Sequence, residues 1–186
     1  PPTMDQPKAE VAENVHRYTD AYRRSADPGI RMLLSAYREV DLARRVVGVG
    51  SVGTRCALSL FEDGDGNGLI LQSKEAGRSV LEQYGGITQP AVLTDLVDTH
   101  GEGARVVALQ RILQSVSDPF LGYLRAPDFD MYVRQFHDMK GGVEVGDLGD
   151  HPFVTYARAC AVTLARAHSQ SPRAAEIVGY MGRGDV

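Results

Sequence analysis

The run Arg45-Val46-Val47-Gly48-Val49-Gly50-Ser51-Val52-Gly53-Thr54-Arg55-Cys56-Ala57-Leu58-Ser59-Leu60-Phe61 decides the fold class. In its second half Cys56, Leu58 and Leu60 alternate with Ala57 and Ser59, which is the period of a strand. Glycines break its first half as a tight turn does, so the whole reads as strand, turn, strand. Asp63-Gly64-Asp65-Gly66-Asn67-Gly68 is a second turn signal, and Leu69-Ile70-Leu71-Gln72-Ser73-Lys74 is the return strand. The expected product is a three-stranded meander beginning near Arg45. It is antiparallel because turns this short cannot hold a parallel crossover.

Two features of the meander carry chemistry. Gly48-Val49-Gly50-Ser51-Val52-Gly53 matches the spacing G-x-G-x-x-G. A dinucleotide fold would follow it with a helix, whereas a strand follows here, so the context selects a strand-turn-strand flap whose backbone N–H groups approach phosphates. The alternative is a glycine-rich hairpin without a chemical role. Lys74 ends the third strand, 21 residues after Gly53, where a lysine can reach a nucleotide's α and β phosphates. A cleft-facing ammonium needs a carboxylate, and Glu75, Glu82 and Glu102 are the candidates. A solvated lysine at a strand end is the other reading. Asp63, Asp65, Asn67 and Gly68 also open like a calcium loop, but its twelfth position is Lys74, where a bidentate glutamate is required. An exposed hairpin turn is therefore the better reading.

Outward from the meander, Val11, Val15, Tyr18 and Tyr22 form a helical face over residues 8–26, and Asp27-Pro28-Gly29 ends it. Ile30, Leu33, Leu34, Tyr37 and Val40 form the face of a second helix. On the other side, a helix opens at Pro90, and another runs from Glu102 to Ser117 with Val106, Leu109, Ile112, Leu113 and Val116 on one face. Phe120 to Leu124 and Phe129 to Phe136 read as a hairpin around Arg125-Ala126-Pro127-Asp128. Residues 138–150 are glycine-rich loop. A long helix from Pro152 to Ser169, with Val154, Ala161, Leu164, Ala165 and His168 toward its buried side, and a short one from Pro172 to Tyr180 close the chain. The fold class is α+β. Five antiparallel strands with a helix inserted after the third are similar to the small lobe of a kinase, here over residues 45–137. An N-terminal helical pair (1–44) precedes it, and a loop with C-terminal helices (138–186) follows.

Composition narrows the functional classes. Charged residues are 24% of 186 and the net charge is −4, so no basic nucleic-acid surface is announced. Cys56 and Cys160 make no disulfide framework and no zinc motif, which points to a reducing compartment, the cytoplasm. No uncharged run approaches the roughly 20 residues that span a bilayer, so no membrane partner is expected. Asp147, Asp150 and His151 read as a solvated loop and helix cap rather than a metal site, and His168 as a hydrogen-bonded core histidine. Arg183-Gly184-Asp185 is a coincidence of letters. No catalytic residue can be assigned from spacing.

Beyond the flap and Gln72-Ser73-Lys74-Glu75-Ala76, the chain carries Arg105-Val106-Val107, Gln110-Arg111, Ser117-Asp118-Pro119-Phe120-Leu121-Gly122, Tyr132-Val133-Arg134-Gln135, Asp138-Met139-Lys140 and Leu164-Ala165-Arg166-Ala167-His168. Together these resemble a bacterial family numbered two-two-five-two in the domain-of-unknown-function series, which is similar in fold to protein kinases and aminoglycoside phosphotransferases. The resemblance implies binding of ATP with magnesium. Gly48, Gly50, Ser51 and Gly53 would form the flap, Lys74 the phosphate lysine, and Glu82, Glu102 and Arg134 further binding residues; Tyr132 to Phe136 would contact the adenine. Members carry a G-D-x-H-x-x-N-F-G stretch and a D-F-D stretch ahead of the glycine loop. The first is missing here, and Asp128-Phe129-Asp130 lies in the wrong place for the second. The expectation is a C-terminal part of a larger phosphotransferase-like protein, inactive without the missing remainder of the polypeptide. The alternative is a non-catalytic binding or regulatory module.

Overall fold

The structure, a computed structural model, describes residues 8–45, 53–137 and 141–182, with side chains described from His16 onward. The protein is α+β. Among the described residues it has seven α-helices and one five-stranded antiparallel sheet. Two compact units are formed, one of residues 1–108 with 118–137 and one of residues 109–117 with 138–186.

In the first unit, α1 (Lys8–Ser25) is followed at once by α2 (Pro28–Leu34). Asp27 starts α2 by accepting the Gly29 N–H at 2.9 Å, with Pro28 at the first position, where its missing N–H is harmless. Arg23 of α1 ends α2 by donating through Nη2 to the carbonyls of Leu34 and Tyr37, each at 3.1 Å. The helix therefore does not run on to Val40. Arg38–Arg44 instead forms β1, seven residues ahead of the expected first strand. Val40 and Leu42 alternate with Glu39, Asp41 and Ala43, a period-two signal that the neighbouring valine and glycine run obscured. The expected strand at Val46 to Val52 lies outside the described residues.

β2 (Cys56–Glu62) and β3 (Gly68–Ala76) complete the meander. The turn between them is built by Asp63, whose Oδ1 accepts the N–H groups of Asp65 and Asn67 at 3.0 and 2.8 Å and whose Oδ2 accepts the Asn67 side-chain amide at 2.9 Å. Gly66 takes a positive φ of 83°, which a side chain would strain. The amide of Asn67 is the main reason the Asp63 carboxyl titrates below its usual range. With both oxygens engaged within the turn, the exposed-hairpin reading accounts for this sequence better than a calcium loop.

A short helix α3 (Val80–Gln83), then α4 (Ala91–His100) and α5 (Glu102–Leu113), lead to β4 (Gly122–Arg125) and β5 (Asp130–Gln135). The sheet order is β1-β2-β3-β5-β4. Side chains alternate across it. One face carries Phe61, Leu69, Leu71, Leu124, Met131 and Val133 against Tyr22, Ala26 and Leu34 of α1 and α2, and this is the hydrophobic core. The opposite face receives α4 and α5. Gly103 of α5 lies so close to the Met131 carbonyl and Tyr123 Cβ that a side chain there would overlap them, and His100 of α4 touches the Tyr123 ring at 5.8 Å.

α5 does not bury the face that its apolar spacing suggests. Gly103, Ala104 and Val107 are buried, while Ile112, Leu113 and Val116 are exposed and the helix ends at Leu113. Small residues let the helix backbone approach the sheet, and that closeness outweighs the larger stripe.

The two sheet edges are handled differently. On edge strand β4, both outward backbone groups of Tyr123 meet Ser25 of α1. Its Oγ accepts the Tyr123 N–H at 2.7 Å and stands 2.6 Å from the Tyr123 carbonyl. On the other edge, β1 slips register between Glu39 and Asp41, and Asp41 Oδ1 accepts the N–H of Leu42 at 2.8 Å. Replacing Ser25 by alanine leaves two half-buried backbone groups without that partner, so we expect Ser25→Ala to cost about 2 kcal/mol. A shift of the urea midpoint at unchanged slope would measure it.

The second unit contains a 3₁₀ turn at Val145–Asp147, α6 (Asp150–Ser169) and α7 (Ala174–Met181). No residue of α6 or α7 is buried. The expected buried side, Val154, Ala161, Leu164, Ala165 and His168, is therefore corrected, and His168 is an exposed residue rather than a core histidine. An apolar stripe becomes a buried face only where another element packs on it.

Candidate functional site

Strand alternation places Gln72 and Lys74 on the face opposite the core. Register gives their neighbours: Gln72 lies opposite Leu58 and Arg134, and Lys74 opposite Cys56 and Tyr132. The resulting patch holds Cys56, Gln72, Lys74, Tyr132 and Arg134 on three adjacent strands. Gln72, at 1% exposure, is the buried polar residue of the described chain. Its Oε1 accepts Nε and Nη2 of Arg134 at 3.2 and 3.1 Å, and its Nε2 donates to Cys56 Sγ at 3.6 Å. Burial raises the Tyr132 hydroxyl above its ordinary range, against the opposing pull of the Arg134 charge. Beside this patch the Arg45 guanidinium stacks on the Phe136 ring at 4.8 Å.

The carboxylates named as partners for Lys74 are engaged elsewhere. Glu75 pairs with Arg55 at 3.1 Å, Glu82 with Arg78 at 3.0 Å and Glu102 with Arg105 at 2.6 Å. Neither Lys74 nor Arg134 forms an ion pair among the described residues. Both are half-buried. The face thus carries two cations without an ion pair among the described residues, its carboxylate Asp130 being taken up by Arg125 and the Glu102 N–H, and such a surface suits an anion.

Of the flap residues, Gly48, Gly50 and Ser51 lie outside the described residues. Gly53 has a φ of 89° in the turn that leads into β2, a conformation reserved in practice for glycine. The letters Asp128-Phe129-Asp130 serve the scaffold. Asp130 Oδ2 accepts the Glu102 N–H at 2.7 Å and so holds the N-terminus of α5 on the sheet, in a space that a side chain at Gly101 would fill. Asp118 ties the start of the β4 segment to the end of β5, accepting the N–H groups of Phe120 and Gln135 at 2.8 and 2.7 Å. Among the described residues no group of three or more His, Cys, Asp or Glu could hold a metal ion, Asp147, Asp150 and His151 included. No helix there is long and apolar enough to cross a membrane.

Gln72 is the residue that sequence reasoning missed. Its signal was a carboxamide inside an apolar strand, two positions before the lysine. The profile of a family described as "Uncharacterized protein conserved in bacteria (DUF2252)" matches residues 1–186. No curated protein and no solved structure matches the chain.

Proposed function

The chain belongs to the DUF2252 family, and we propose that it is a kinase-like, ATP-binding lobe of a larger bacterial phosphotransferase-like protein. One observation carries the reading: Lys74 and Arg134 share a sheet face on which neither has a carboxylate partner among the described residues. The order β1-β2-β3-β5-β4, with helices inserted between the third and fourth strands, supports the kinase-like layout. Lys74 and Arg134 would neutralise the phosphates. Strand β5 would offer backbone groups to the base. Magnesium has no ligand cluster among the described residues.

Calorimetric titration of the full-length protein with ATP tests this. We expect Lys74→Ala to weaken binding about tenfold, the loss of one charge-assisted contact. Equal affinity in the two proteins would remove Lys74 from the site. A second reading, a binding module that performs no transfer, is favoured by the arginine pairing of Glu75, Glu82 and Glu102, which leaves Lys74 without the carboxylate that fixes it in phosphotransferases. Phosphate transfer by the full-length protein would exclude it.

A further inference from the structure

We infer that Gln72 is a positioning residue whose buried carboxamide presents Arg134 as a free cationic fork for an oligophosphate, with Lys74 as the second cation. The inference rests on the reading of this face as the phosphate side of a nucleotide site.

The argument begins with the cost of burying Gln72. A carboxamide at 1% exposure must satisfy its polar atoms inside the protein. It does so with Arg134 on one side and the Cys56 thiol on the other. The thiol is a weak acceptor, so the orientation of the amide is set chiefly by the two guanidinium bonds. These use the Nε and Nη2 edge of Arg134. The end of the fork, Nη1 with the second Nη2 proton, has no partner among the described residues, and it is the edge that matches two oxygens of a phosphate.

A structural arginine at a half-buried place is ordinarily held by a carboxylate, as Arg105 is by Glu102 in this same unit. Arg134 is held by a neutral group. The geometry is fixed while the charge remains unspent. Lys74 sits two residues along β3 from Gln72 on the same face, a diagonal neighbour of Arg134 about 7–8 Å away between Cα atoms. Two cations at that spacing, neither with an ion pair among the described residues, suit a chain of linked phosphates better than a single carboxylate or sulfate.

Gln72→Glu tests the distinction. Glutamate keeps the shape and both bonds from Arg134 but cancels its charge. Titrating the full-length protein with sodium tripolyphosphate, we expect Gln72→Glu and Arg134→Gln each to weaken binding about tenfold, with melting temperatures within a few degrees of the parent. If the Arg134 fork took no part in binding, Gln72→Glu would bind tripolyphosphate as the parent does, and that result overturns the inference while leaving the ATP reading standing. Tripolyphosphate binding that depends on Gln72, in a protein that prefers it to ATP, upholds the inference and overturns the nucleotide reading. Failure of the parent to bind tripolyphosphate overturns the inference outright. Should Gln72→Glu not fold, Arg134→Lys keeps the charge without the fork, and unchanged affinity in that variant likewise overturns the inference.

Discussion

Gly103→Ala should destabilise the protein by about 3 kcal/mol, near the upper end of what overpacking ordinarily costs. The new methyl group would overlap the carbonyl oxygen of Met131, a backbone atom fixed in the β4·β5 ladder, and crowd Tyr123 Cβ at 3.1 Å. Neither neighbour is the far end of a flexible side chain. α5 must therefore lift from the sheet, which stretches the 2.7 Å bond between the Glu102 N–H and Asp130 and uncovers Ala104 and Val107. Urea denaturation followed by circular dichroism would show a lower midpoint. A midpoint equal to that of the parent would mean that the close approach of α5 is not fixed. A variant at an exposed glycine with open space around it, Gly64→Ala, serves as the reference.

Leu71→Ala acts on the other face and should cost between about 2 and 5 kcal/mol, the range for emptying a well-packed leucine site. Leu71 is 1% exposed and belongs to the cluster shared by the sheet with α1 and α2. The neighbouring strands are tied by ladder bonds on both sides, so the cavity cannot collapse easily. The two substitutions separate the layers. Leu71→Ala weakens the core without touching the Lys74 face. Gly103→Ala disturbs the helix layer over that face, so it alone should also reduce binding of tripolyphosphate relative to its effect on the melting temperature.

The parts of the fold that were legible in the sequence are those set by short-range chemistry. The β2–β3 hairpin announced itself through alternation and through Asp63 and Gly66, whose turn is complete within five residues. α4 was bounded by Pro90 and by Gly101, which takes a φ of 86°. β1 was missed because its signal at Val40 and Leu42 is shorter than the neighbouring valine and glycine run. The end of α2 depends on Arg23, a residue in another helix. The buried stripe of α5 was misread because residue size, not hydrophobicity, decides which face meets a backbone. For the site, Lys74 and Arg134 were named, but their sharing a face is a matter of pairing between strands about 60 residues apart. The role of Gln72 could not be read at all without Arg134 and Cys56 beside it.

The treatment of the two sheet edges bears on how this chain behaves in a crowded cell. A sheet with a bare, regular edge is a template on which another copy can add strands, and growth by that route ends in fibrils. Here the β4 edge is occupied at Tyr123 by a serine hydroxyl from the chain's own first helix, and the β1 edge slips register between Glu39 and Asp41 and carries the charges of Arg38, Glu39, Asp41 and Arg44. A neighbouring strand could not run in register along either border for more than a few residues. Among the described residues, both borders of the sheet are thus closed to regular strand addition.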